Sequence, residues 1–189
     1  WLGSWFFMSG ASAKLSNWAH HKVMAATADK GFVVQNIYVE GRHFTDAETL
    51  MAILNIEKGD PLFSFHPDNA RAMIEKISWV KSAHVSRQLP NSIFIELEER
   101  TPMALWQRNK QLSLIDTNGV ILTDRNLGDF KNYIVLVGSD VPERAPDFVK
   151  LLAAEPDILS KIEAAKSISG RRWDVTLKSG AVVKLPENE

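Results

Sequence analysis

Cysteine is absent from this chain, which excludes disulfide frameworks, zinc ribbons and thiol catalysis. A charge imbalance is missing too: 22 basic residues stand against 23 acidic ones, a formal charge of −1. Nucleic-acid binders carry a net basic face, and anionic bilayers attract polybasic segments; this balance makes a case for neither. The ten glycines stand singly, so no Gly-rich phosphate loop opens a helix and no serine sits in a Gly-x-Ser-x-Gly elbow. His20, His21, His43, His66 and His84 show no metal-ligand spacing and read as surface or capping residues. No internal repeat or low-complexity tract is present. The sequence thus makes no positive case for an enzyme, a metal site, a cofactor or a small-molecule substrate.

What is present is an ordinary globular composition, 45% hydrophobic and 24% charged over 189 residues. One domain of that size would bury roughly 70% of its unfolded surface, and each of two halves nearer 60%. The opening run Trp1-Leu2-Gly3-Ser4-Trp5-Phe6-Phe7-Met8 is apolar and aromatic. It is too short to span a bilayer, which takes about 20 helical residues. It suits the outer, aromatic-rich end of a transmembrane helix that begins upstream, or an amphipathic helix packed on the domain. Residues 9–31 read as a connector ending at Gly31.

Val33 to Val39 is rich in β-branched residues and reads as a strand. Thr45 and Glu48 form a capping box, and Ala47, Leu50, Met51 and Leu54 recur at helical spacing behind it. A second helix opens at Pro67, with Ala70, Met73, Ile74 and Ile77 as its apolar face. The period then changes from 3.6 to 2. Ala83, Val85 and Leu89 alternate with polar residues, Pro90-Asn91 turns the chain, and Ile93, Ile95 and Leu97 alternate with Phe94, Glu96 and Glu98. The order strand, helix, helix, strand, strand makes a compact α+β unit over residues 32–100.

Thr101-Pro102 marks a boundary. Short runs follow at 104–107, 111–115, 120–122 and 134–137, with a turn at Asp116-Thr117-Asn118-Gly119. Helices are expected at 146–153 and 156–165. Trp173 to Leu177 and Ala181 to Leu185 then form a terminal hairpin, so 101–189 reads as a mixed β-rich domain with helices. Unless another strand covers that hairpin, it leaves an edge that a partner strand can use.

Two clusters merit weighing. Glu96 and Glu98 share one strand face opposite Ile95 and Leu97, which a solvated surface explains better than acid–base catalysis. Arg171-Arg172-Trp173 combines residue types enriched at interfaces, although Trp173 reads as core.

The run from Trp79 to Trp106 carries a resemblance. Trp79-Val80, Ala83, Val85, Arg87, Pro90-Asn91, Glu99-Arg100, Pro102, Ala104 and Trp106 closely resemble the FtsQ/DivIB family of bacterial division proteins. Gly31-Phe32, Ile37-x-Val39-Glu40-Gly41-Arg42, Leu114-Ile115-Asp116 and Gly119 extend the match. Arg171-Arg172-Trp173 and Leu185-Pro186-Glu187 look most like its alphaproteobacterial branch. The resemblance implies a polypeptide-transport-associated (POTRA) domain of β-α-α-β-β order, then a mostly antiparallel β domain. It implies a single-pass protein of the inner membrane, mainly periplasmic and placed at the septum. Its role there would be non-enzymatic: binding FtsB and FtsL and linking them to septal peptidoglycan synthesis. Family members continue past Leu-Pro-Glu into a helix and a final strand on which FtsB adds; Arg171 and Arg172 match a paired arginine near that docking surface, which the resemblance implies as the partner-contact candidates in this sequence. Glu99, Arg100, Pro102 and Trp106 are the expected interdomain junction. A POTRA module of outer-membrane protein assembly or secretion is the alternative.

Overall fold

The computed structural model describes Thr27 and residues 30–187. The expected membrane-helix end at 1–8, most of the connector at 9–31, and His20 and His21 lie outside the described residues. No helix among the described residues is long and apolar enough to cross a membrane. The chain divides into two compact units between Glu99 and Arg100.

In the first unit the change of period becomes a change of element. Strand β1 (Asn36–Glu40) is followed by helices α1 (Ala47–Leu54) and α2 (Pro67–Ile74), then by strands β2 (Val80–Gln88) and β3 (Ser92–Glu99). The sheet order is β1-β3-β2, with β1 parallel and β2 antiparallel to β3. β3 is central, so Ile93, Ile95 and Leu97 are buried with Leu50 and Leu54 of α1 and Ala70 and Ile74 of α2 in one core. Burying each Leu or Ile contributes roughly 1.5–3 kcal/mol, which makes this alternation the main determinant of register. Pro67 sits in the first turn of α2, where its missing N–H costs no hydrogen bond.

Several local expectations shift. Val33 makes only an isolated bridge to Pro61, and the paired strand starts at Asn36. Asp46, not Thr45, caps α1, accepting from the Thr49 N–H at 2.7 Å. The hairpin loop has three residues, Leu89, Pro90 and Asn91, because Gln88 pairs with Ser92. Leu89 is consequently 64% exposed.

The second unit is a seven-stranded mixed sheet, ordered β10-β9-β8-β7-β4-β5-β6. Its strands are β4 (Pro102–Arg108), β5 (Gln111–Asp116), β6 (Ile121–Thr123), β7 (Val135–Val137), β8 (Ile162–Ile168), β9 (Arg172–Leu177) and β10 (Val182–Lys184). The β4–β7 and β7–β8 pairs are parallel and the rest antiparallel. Helix α3 (Val141–Ala153) and the short α4 (Pro156–Leu159) connect β7 to β8. Trp106, Leu136, Ala165, Trp173 and Val175 bury one sheet face against Val141, Ala145, Phe148 and Leu152 of α3.

The second expected helix, at 156–165, is a correction. After Leu159 the chain becomes β8, with Ile162, Ala165 and Ser167 buried and Glu163 and Lys166 exposed. Glu163-Ala164-Ala165-Lys166 favours helix locally, but a slot between β7 and β9 outweighs about a few tenths of a kcal/mol per residue of propensity. The first expected helix starts five residues before Pro146, because Pro142 takes the first turn and Pro146 lies inside α3.

Candidate partner-binding surface

The expected junction residues separate cleanly between the two units. Glu99 ends β3, and its carboxylate accepts three backbone N–H groups of the β1–α1 loop. Thr45 donates to Oε1 at 2.7 Å, and Phe44 and His43 donate to Oε2 at 2.8 and 3.0 Å. Burial would raise the carboxyl pKa, but the hydrogen bonds of Thr45, Phe44 and His43 outweigh it and hold the group below its ordinary range. Thr45 is buried, and its N–H, which a capping box would give to Glu48, goes to Glu99 instead, while Asp46 caps α1.

Arg100 opens the second unit, and its Nη1 donates to Asp116 Oδ2 at 2.9 Å. Asp116 also accepts the N–H groups of Asn118 (2.9 Å) and Val120 (2.7 Å), so one carboxylate organises the β5–β6 turn. Burial again opposes ionisation, and the Val120, Asn118 and Arg100 hydrogen bonds again overcome it. Pro102 starts β4, a position where a strand tolerates a missing N–H. Trp106 is buried in β4 and donates its indole N–H to Gly138 O at 2.7 Å.

The arginine pair lies at the other end of the second unit's sheet. Arg171 is in the β8–β9 turn, and Arg172 is the first residue of β9. Trp173 is 5% exposed and stacks on Phe148 of α3 at 4.3 Å with an 11° interplanar angle. Sequence reasoning therefore placed Trp173 correctly as core. Beside it opens a groove of about 500 Å³ between α3 and β9, lined among others by Phe148, Leu151, Arg172, Trp173 and Leu185. Leu151 is 67% exposed there, a position that helical periodicity in the sequence does not single out.

One wall of the groove is locked by a polar cluster that the sequence did not announce. Ser167 Oγ donates to Asp140 Oδ2 at 2.6 Å, and Arg144 Nη1 donates to Ser167 Oγ at 2.8 Å. The Arg144 guanidinium lies 5.3 Å from the Trp173 ring centroid, a cation–π distance. Burial would raise the Asp140 carboxyl pKa, but bonding to Ser167 and Arg144 lowers it. Asp140 and Arg144 are one helical turn apart at the start of α3, and Ser167, more than 20 residues on, is brought to them by β8.

Next to the groove, β10 is the last strand of the sheet. Ala181 O and Leu185 N bond to β9, so the alternation of an antiparallel pair turns the backbone groups of Val182 and Lys184 outward. Val182 and Val183 are 60% and 44% exposed.

Elsewhere chemistry is sparse. Glu98 is exposed and bonded to Lys81 (2.6 Å) and Ser82 (2.7 Å), as a solvated strand face requires. His43, His66 and His84 are exposed. No group of His, Asp and Glu among the described residues could hold a metal ion.

The first unit is thus a POTRA-type β-α-α-β-β domain and the second a mixed β domain. Residues 32–100 match the POTRA domain of FtsQ type, and residues 104–189 match the C-terminal domain of cell division protein FtsQ/DivIB. The chain belongs to the FtsQ/DivIB family. Cell division protein FtsQ of Rickettsia conorii is 36% identical over 88% of this chain and 62% of its own length. FtsQ of Bartonella bacilliformis is 29% identical over 98% of this chain and 60% of its own. FtsQ of Agrobacterium fabrum is 32% identical over 85% and 51%. The chain therefore spans about half to three-fifths of the length of these curated relatives. The solved extracytoplasmic domain of DivIB from Geobacillus stearothermophilus matches 47% of this chain and 80% of its own, with a TM-score of 0.36 and 17% identity.

Proposed function

We propose that this chain is part of a non-enzymatic, membrane-anchored division scaffold. Its second unit binds FtsB and FtsL and so links them to septal peptidoglycan synthesis in the periplasm. The carrying observation is the juxtaposition in that unit of an outward-facing strand edge, Val182–Lys184, with a groove beside it. The groove has an apolar floor of Phe148, Leu151, Trp173 and Leu185 and charged walls of Glu143, Arg144, Asp147 and Arg172, with Arg171 next to Arg172 in the β8–β9 turn. A strand edge supplies main-chain hydrogen bonds that any extended segment can use. The floor of the groove offers contact for an apolar anchor, and the arginines offer orientation and charge selectivity. Family membership supports the same reading, since relatives sharing both domains are named cell division proteins.

The Glu99–Pro102 junction serves this scaffold by ordering the chain on either side of the unit boundary. Enzymatic competitors would need a cleft with convergent acid and base groups. Here the paired carboxylates of β3 lie on a solvated face.

The test is a titration of soluble FtsB–FtsL periplasmic segments against this chain and against a version extended along the gene's C-terminal sequence. Binding by either version, weakened by joint Arg171→Gln and Arg172→Gln substitution, supports the scaffold. Binding by neither, with both folded, overturns the partner assignment and favours the outer-membrane assembly reading.

A further inference from the structure

The arginine pair already carries a ligand from its own chain. Arg171 Nη1 lies 3.8 Å from Glu187 Oε2, and Arg172 Nη1 lies 3.7 Å from Glu187 Oε1, so one carboxylate spans both guanidinium groups. Glu187 reaches them because the segment after β10 runs on along β9 in the same antiparallel register, which sets residue 187 opposite residue 171. Leu185 N donates to Trp173 O at 2.9 Å, Leu185 packs on the core, and Pro186 lines the groove.

Two different carboxylates therefore serve this pair. Asp174 Oδ1 accepts from Arg172 Nε at 3.0 Å, lies on the same strand face two residues on, and has a side chain only 19% exposed. Glu187 is 48% exposed, sits outside regular structure, and makes longer contacts. A charge-assisted N–H···O bond closes to about 2.7–2.9 Å, so Glu187 is held by Coulomb attraction and not by a bidentate fork. Exposed pairs of this kind contribute little to stability and exchange readily. Arg171 has no other ion-pair partner among the described residues.

We propose that Glu187 is a built-in placeholder, occupying the position that an acidic side chain of the partner takes across Arg171 and Arg172 and leaving when the partner docks. The inference rests on the partner-surface reading above and adds a regulatory element to it. The occupant is an acidic segment, because the pair is already shaped to hold one carboxylate across both guanidinium groups. Its apolar side chains enter the adjoining groove over Phe148, Trp173 and Leu151. The placeholder screens the arginines from casual anions and raises the affinity threshold that a partner must exceed.

The experiment uses the 189-residue chain, its Glu187→Gln variant, and the Arg171→Gln/Arg172→Gln pair with and without Glu187→Gln. The probes are capped hexaglutamate, capped hexaglutamine, and the division-partner segments titrated above. Glu187→Gln is expected to bind hexaglutamate about threefold to tenfold more tightly than the parent chain, the range two exposed ion pairs supply. Hexaglutamine should show no gain, and the arginine variants should lose the gain. At about 1 M salt, where the screening length falls to about 3 Å, it should vanish. No gain with hexaglutamate, or an equal gain with hexaglutamine, overturns the placeholder. Partner segments that bind the parent chain and Glu187→Gln equally also overturn it and leave the scaffold reading standing. Segments that bind no variant overturn the scaffold reading, while the hexaglutamate arm still decides the placeholder.

Discussion

Glu99 and Arg100 are joined by one peptide bond, yet their side chains are committed to different units. Glu99 collects three N–H groups of the β1–α1 loop, and Arg100 binds Asp116 under the β5–β6 turn. Each unit is thereby tied to the last, or the first, residue that belongs to it. The Glu-Arg-x-Pro sequence is thus two separate anchors followed by a strand start.

That division predicts separable damage. Glu99→Ala leaves three loop donors without their acceptor and should cost the first unit about 2–3 kcal/mol. Arg100→Ala should cost the second unit about 2 kcal/mol, less than a fully orphaned buried charge because Asn118 and Val120 still donate to Asp116. Hydrogen exchange read peptide by peptide checks this. Faster exchange in 41–46 for the first variant and in 112–123 for the second is expected, and the reverse pattern would refute it.

Gly119 is irreplaceable for a reason that lies in another element. Its φ is +77°, and a Cβ there would run into the carbonyl oxygen of Pro142. Pro146, four residues beyond Pro142, has no N–H to offer that carbonyl, so the usual i+4 helical bond is missing there. Gly119→Ala should destabilise the second unit by about 2–4 kcal/mol, combining left-handed strain with overpacking. A loss under about 0.5 kcal/mol in urea unfolding would contradict this contact.

Much of the first unit was legible because its periods are regular, 3.6 in α1 and α2 and 2 in β2 and β3, with proline and glycine at the breaks. Of the expected helical faces, however, only Leu50, Leu54, Ala70 and Ile74 are buried, and Ala47, Met51 and Met73 are exposed. Its errors are local. Thr45 looked like a cap because Glu48 follows at the right spacing, but Glu99, more than 50 residues away, claims the Thr45 N–H. The second unit was less legible wherever tertiary pairing overrides propensity. Glu163-Ala164-Ala165-Lys166 reads as helix until β7 and β9 are known to flank it. The arginine pair and Trp173 could be picked out by residue type. The groove, Leu151, the Asp140–Arg144–Ser167 cluster and the Glu187 contact could not, since each depends on where α3 or the final segment lies against β8 and β9.

The acid response follows from three carboxyls. Glu99, Asp116 and Asp140 are all held below their ordinary values, hydrogen bonds outweighing burial in each case. A carboxyl with a lower pKa folded than unfolded binds fewer protons when folded. Its contribution is therefore complete above the unfolded value and is lost as pH falls through the folded one. Unfolding free energy should be level from about pH 5 to 7 and decline below about pH 4. A decline setting in above pH 5 would contradict these assignments.

The groove separates stability from binding. Trp173→Ala removes a buried indole stacked on Phe148 and should cost about 3–5 kcal/mol. Leu151→Ser alters an exposed side chain and should change stability by less than about 0.5 kcal/mol. It should nonetheless weaken partner binding about tenfold if Leu151 is an anchor contact. Calorimetric melting beside a titration measures both effects, and unchanged affinity in Leu151→Ser would remove the groove from the interface.

Under the proposed function, partner capture falls on the β9–β10 side of the second unit. The most direct measurement is the affinity of FtsB–FtsL periplasmic segments for the C-terminally extended chain carrying Arg171→Gln and Arg172→Gln, compared with the same chain carrying Glu96→Gln and Glu98→Gln on β3. A loss of at least about tenfold is expected for the arginine pair and none for the β3 pair. Equal affinities in the two variants, both folded, would contradict it.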